Sequence, residues 1–107
     1  MASKALLTVP TSIRRDESVV VQLVIQHPME PGFRRDAFGT VIPLNIIEHL
    51  IWTLNGKPLL TMDISSGMSA NPHFAVPLRF SEGGLLRITW QDTAGMAGSV
   101  ETLVKLR

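Results

Sequence analysis

The sequence predicts an all-β domain, an immunoglobulin-like β-sandwich of about seven strands. Three observations predict it. Short runs alternate apolar and polar residues, as half-buried strands do; turn signals recur between the runs; and β-branched side chains are dense where a helix disfavours them.

A short first strand is expected at Leu6 to Val9. The clearest strand is Ser18 to Gln26, where Val19, Val21, Leu23 and Ile25 share one face and Gln22 and Gln26 lie on the other. Ile46 to Leu54 follows. Its residues Ile46, Ile47, Leu50, Ile51 and Leu54 also fit a helical stripe, and Asn55-Gly56, the best two-residue hairpin turn, tips the reading to a strand. Leu59 to Ile64 is then the returning strand.

Phe74, Val76, Leu78 and Phe80 alternate with Ala75, Pro77 and Arg79. Pro77 cannot donate to a ladder, so this strand belongs at an edge or bulge. After Ser81-Glu-Gly-Gly84, Leu86, Ile88 and Trp90 alternate with Leu85, Arg87, Thr89 and Gln91, and Asp92-Thr-Ala-Gly95 closes the run. Val100, Thr102, Val104 and Leu106 form the last strand. Between the second and third strands, His27 to Pro43 has no periodicity and contains Pro28, Pro31 and Pro43. Its Phe33, Phe38, Val41 and Ile42 argue against disorder, so it reads as an ordered binding loop.

At 107 residues, residues 1–107 form a single domain able to fold without covalent staples. Net charge is only +1, so the basic stripe that grips nucleic acid is not expected. No apolar run is long enough to span a membrane, and Met1 to Pro10 lacks a full signal-peptide core and cleavage site. The chain therefore reads as soluble and unsorted. Cysteine is absent, which excludes disulfides, a thiolate nucleophile, Fe–S ligation and any thioester or persulfide carried on this chain.

The residues for catalysis do not assemble in the sequence. Ser65, Ser66 and Ser69 lie near Asp63 without a Gly-x-Ser-x-Gly elbow. Gly83-Gly84 lacks the lysine of a phosphate cradle, and no metal is assigned. A copper site would need His27, His49 and His73 with Met29 or Met68, and no histidine pair has zinc-motif spacing. Two features have more to offer. Arg34-Arg35 supplies donors for an oxyanion or is simply solvated. In Ser69-Ala-Asn-Pro72, proline pushes Asn71 toward an extended conformation, and its side chain then pairs with a partner's backbone or with its own loop.

Read in order, His27-Pro-Met-Glu30, Gly32, Arg34 or Arg35 with Asp36, Gly39, Ile42-Pro43, Ile46-Ile47, Asn55-Gly56, Ser69-Ala-Asn-Pro72, and Trp90 with Asp92 and Gly95 form a pattern. It resembles the SoxZ family over nearly the whole chain. Pro31, Leu44 and Gln91 depart from the usual residues of that pattern, and Leu44 stands where a basic residue is common. The resemblance implies an immunoglobulin-like sandwich that pairs with SoxY to form SoxYZ, the sulfur-compound carrier of thiosulfate oxidation. In that family the partner holds the substrate on a cysteine in a glycine-rich tail. This chain fits the non-carrying, non-enzymatic role, with no cofactor and with other Sox enzymes as transient partners.

The resemblance also implies the periplasm, reached without a signal peptide of its own in complex with the exported partner. His27, Met29, Arg34, Arg35, Asn71 and Pro72 are the candidates for binding the partner or its tail. Val20, Leu85 and Leu103, each opposite the presumed core face of its strand, are candidates for an apolar interface. The alternative is a standalone periplasmic copper binder in which His27, Met29 and His73 converge. The isolated chain could be a monomer, pair with itself, or be stable only as a heterodimer.

Overall fold

The structure is a computed structural model that describes residues 4–64 and 68–107. Seven strands run in the order β1 (Ala5–Thr8), β2 (Ser18–Ile25), β3 (Ile47–Leu54), β4 (Lys57–Asp63), β5 (His73–Arg79), β6 (Gly84–Asp92) and β7 (Ala97–Val104). They form two antiparallel sheets, β1-β2-β5 and β4-β3-β6-β7. This is the expected all-β sandwich, with β4 paired to β3 rather than to β5.

Alternation accounts for the packing. Val21, Leu23 and Ile25 of β2 face Leu50, Trp52 and Leu54 of β3 and Leu86, Ile88 and Trp90 of β6, all buried. The competing helical stripe in β3 fails because Ile51, which it would bury, is 45% exposed on the outer face. Asn55 and Gly56, with φ of 52° and 80°, make the β3–β4 turn that the Asn-Gly pair favours.

Several boundaries differ from the sequence expectation. β1 lies one residue earlier than Leu6 to Val9, β4 begins at Lys57, and β7 begins at Ala97 rather than Val100. The last shift has a local cause: small residues in β7 admit a bulky neighbour. Gly98 pairs with Trp90 across the ladder, and a Cβ on Gly98 would sit 2.5 Å from the Trp90 ring. At the margins, β4 and β5 are edge strands, and each carries a proline, Pro58 and Pro77. Those prolines blunt both edges against further strand pairing.

Register places three connections at one end of the sandwich. Val24 pairs with His73, Ile47 with Asp92, and His49 with Asp63. The β2–β3, β4–β5 and β6–β7 connections therefore emerge together, at the end that carries antigen-binding loops in antibody variable domains. Gly98→Ala is expected to lower unfolding free energy by about 1–3 kcal/mol through overpacking against Trp90. Denaturant titration checks this; an unchanged midpoint would contradict the contact.

Candidate functional site

The β2–β3 connection is a bent hairpin arm rather than an irregular loop. Backbone bridges join Glu30 to Asn45 at its base and Arg35 to Val41 near its tip. Asp36 shapes the tip: its Oδ1 accepts from Phe38 N at 2.8 Å and Thr40 N at 3.0 Å, while Gly39 takes φ 80°. The β6–β7 turn repeats this device. Asp92 Oδ1 accepts from Ala94 N at 3.0 Å and Met96 N at 2.9 Å, with Gly95 at φ 89°. Both turns read Asp-x-x-Gly, the three-residue hairpin loop closed by a left-handed glycine.

His27 joins the three connections. Its ring is 3.0 Å from Asp92 Oδ2 through Nε2, and its Nδ1 accepts from Met29 N at 2.9 Å. An acceptor Nδ1 must be bare, so Nε2 carries the hydrogen and donates to Asp92. The His27 backbone is held from the other side. Asn71 N donates to His27 O at 2.8 Å, and His27 N donates to Asn71 Oδ1 at 3.1 Å. Thr93 adds a further tie, donating through N to Ile46 O and accepting at Oγ1 from Ile46 N.

Burial disfavours a charge on Asp92, but the Met96 N–H, the His27 ring and the Ala94 N–H outweigh it and hold the carboxyl below the ordinary 3.8. The pair is dry, with His27 3% and Asp92 8% exposed. Removing one member would leave buried donors unpaired.

The structure distributes the sequence candidates unevenly. His27 and Met29 are both buried; they hold the arm's base and present no surface to a partner. Met29 Sδ accepts from Ile47 N at 3.5 Å. Asn71 pairs with neither a partner nor its own loop but with the backbone of His27 in the β2–β3 connection, and its φ of 53° corrects the extended conformation expected from Pro72. The two bonds to His27 override the proline's preference. Pro72 is buried, and its carbonyl accepts from Ile25 N at 3.1 Å, prolonging the β2–β5 ladder.

Arg34 grips Glu30 through Nε at 3.2 Å and through its terminal nitrogen at 2.6 Å. The Glu30 hydrogen bond and charge raise the Arg34 pKa, and the Arg34 hydrogen bond foremost lowers that of Glu30. Arg35 donates to Gly39 O at 2.7 Å across the tip. Each of Val20, Leu85 and Leu103 is exposed, but they do not form one patch. Leu85 and Leu103 are cross-strand partners on β6 and β7, whereas Val20 lies on β2 in the other sheet.

Among the described residues the copper ligands are not brought together. His27 has both ring nitrogens engaged, and His73 lies exposed with its ring 3.4 Å from Gln22, so the copper trio of His27, Met29 and His73 is not assembled. Among the described residues no group of three or more His, Cys, Asp or Glu could hold a metal ion. Asp63 pairs with His49 at 2.7 Å in the open, while Ser65 and Ser66 lie outside the described residues.

Residues 8–102 match the family described as "Sulphur oxidation protein SoxZ". The chain belongs to the SoxZ family. SoxZ membership implies a role in the SoxYZ sulfur-oxidation system, with SoxY as partner in a complex. No curated protein matches the chain. Among solved structures, a superoxide reductase (neelaredoxin) from Ignicoccus hospitalis is similar at TM-score 0.68 and 15% identity, covering 99% of this chain and 82% of that one. A putative superoxide reductase from Thermotoga maritima is similar at TM-score 0.68 and 8% identity, covering 96% and 85%. At such identity the likeness shows the shared fold alone.

The lowered pKa of Asp92 makes the stability of this SoxZ domain depend on pH. Its folded pKa lies below the ordinary value, so its contribution is complete above about pH 4 and is lost as pH falls through the folded value. Stability measured by denaturant titration between about pH 5 and pH 2 should fall less steeply in Asp92→Asn than in the unaltered chain. Parallel curves would show that the carboxylate is not stabilised by its donors.

Proposed function

We propose that this chain is the non-catalytic subunit of the SoxYZ sulfur-compound carrier. It binds SoxY and helps to present the cysteine-linked substrate of that partner to the Sox enzymes. The observation that carries the reading is the family match over residues 8–102. The loop end supports it in physical terms: a braced scaffold from which a hairpin arm emerges suits holding and presenting.

The lack of cysteine in this sequence supports a reading in which the sulfur adduct is carried by the partner. The working compartment in this reading is the periplasm, entered in complex with the partner. His27, Met29, Asn71 and Pro72 act by fixing the arm's base. Of the two arginines, Arg34 is neutralised by Glu30, whereas Arg35 makes no ion pair with a carboxylate among the described residues. Arg35 is therefore the residue we assign to attracting the anionic adduct or the enzymes that process it.

Affinity purification of the chain from cells that carry the pathway tests the reading. A cysteine-tailed partner should come down in equal amount, and a preparation that brings down no such protein would overturn it. In the reconstituted pathway, Arg35→Ala should slow turnover about 2–10-fold at low salt and little at high salt. Unchanged rates across salt would remove the electrostatic role.

A further inference from the structure

The arm is folded, yet it shows its apolar side chains to solvent. Phe33 is 82% and Phe38 93% exposed, and Val41 and Leu44 are 43% and 45% exposed. Rings left in water this way forgo the burial that drives folding. The arm does not collapse onto the sandwich because its own bonds hold it out: the two backbone bridges, the Asp36 turn, the Arg34–Glu30 pair and the Arg35–Gly39 bond. The molecule measures 57 × 20 × 19 Å, whereas an eight-residue strand spans only about 26 Å. A projecting arm accounts for part of that length.

Resting on the reading that the chain binds a partner subunit, we infer that the tip of the arm is an aromatic finger. Phe33 and Phe38 insert into a concave apolar cleft on that subunit. Two arguments choose this occupant. The arm's charges, Glu30 and Asp36 against Arg34 and Arg35, sum to zero, so no net charge steers the arm; the rings supply the contact, with Arg35 left at the wet rim of the cleft. Counting the rings alone, two such tips packed on each other would bury roughly 600–1,000 Å² in total, short of the approximately 1,200 Å² of a stable interface, whereas a partner subunit that also contacts the rest of this chain makes up the difference. A cleft encloses both rings and also covers Val41 and Leu44.

The finger is pre-formed, so docking pays little ordering entropy. Aromatic anchors of this kind carry a large share of interface energy. Both rings are exposed, so polar replacements leave the core of the sandwich untouched.

Titration calorimetry of the full chain against the purified partner subunit tests the inference, comparing the unaltered chain with Phe33→Ser/Phe38→Ser and with Val20→Ser/Leu103→Ser on the sheet faces. The finger variant should lose affinity roughly 100-fold or more, and the sheet-face variant should stay within about threefold. Affinity of the unaltered chain should change little between about 0.05 and 0.5 M salt. If the finger variant binds within about threefold of the unaltered chain, the inference is wrong while the partner reading stands. If the chain alone dimerises and the finger variant abolishes that, a second copy is the occupant and the inference is overturned. Should the unaltered chain bind no partner, the reading beneath the inference fails with it.

Discussion

The buried pair of His27 and Asp92 sets the geometry of the loop end from which the arm leaves. A carboxylate in a dry site needs several donors. Asp92 obtains two from the backbone of its own turn and one from the imidazole. That third bond uses Nε2, leaving Nδ1 to accept from Met29 N. The direction in which the arm leaves β2 is thereby coupled to the β6–β7 turn. Asn71 completes the arrangement by clamping the His27 backbone from the β4–β5 connection. One residue thus ties together three connections that are far apart in sequence, and a network of this kind is cooperative because each bond orients the next.

The rest of the molecule supports this end without taking part in it. The core is an ordinary alternation of inward apolar side chains, and two of the four edge strands carry prolines that discourage pairing. What distinguishes the chain is the arm, whose charges serve mainly to build it. Arg34 and Glu30 brace its base-proximal limb and Arg35 brackets the tip. The arm's exposed part mixes Phe33, Phe38, Val41 and Leu44 with Arg34, Arg35 and Asp36, a surface that suits contact with another chain.

Much of the fold was legible because period-two alternation and Asn55-Gly56 are local signals. For β3 the five apolar residues fit a helix as well as a strand; Asn55-Gly56 tips the reading to a strand, and the outward placement of Ile51 agrees with it. The site was less legible. His27 looked like a surface ligand because its partner, Asp92, lies 65 residues away, and no local pattern reports burial at that range. Asp92 itself was read only as part of a turn. Its signal was the Asp-x-x-Gly spacing, which it shares with Asp36 to Gly39 and which marks the same hairpin turn twice. Asn71 misled for a related reason: Pro72 argues for extension, and only the tertiary bonds to His27 reveal why the left-handed conformation wins.

The most direct test of this account is amide hydrogen exchange in the unaltered chain and in His27→Gln. The account predicts that the amides of Met29, Asn71, Ala94 and Met96 lose protection together, because a single cooperative unit opens. Asn71 is the informative one, since its bond is to the His27 backbone and would survive a purely local change in the ring. Loss of protection at Met29 alone, with Asn71, Ala94 and Met96 unchanged, would contradict the claim that His27 holds the three connections as one.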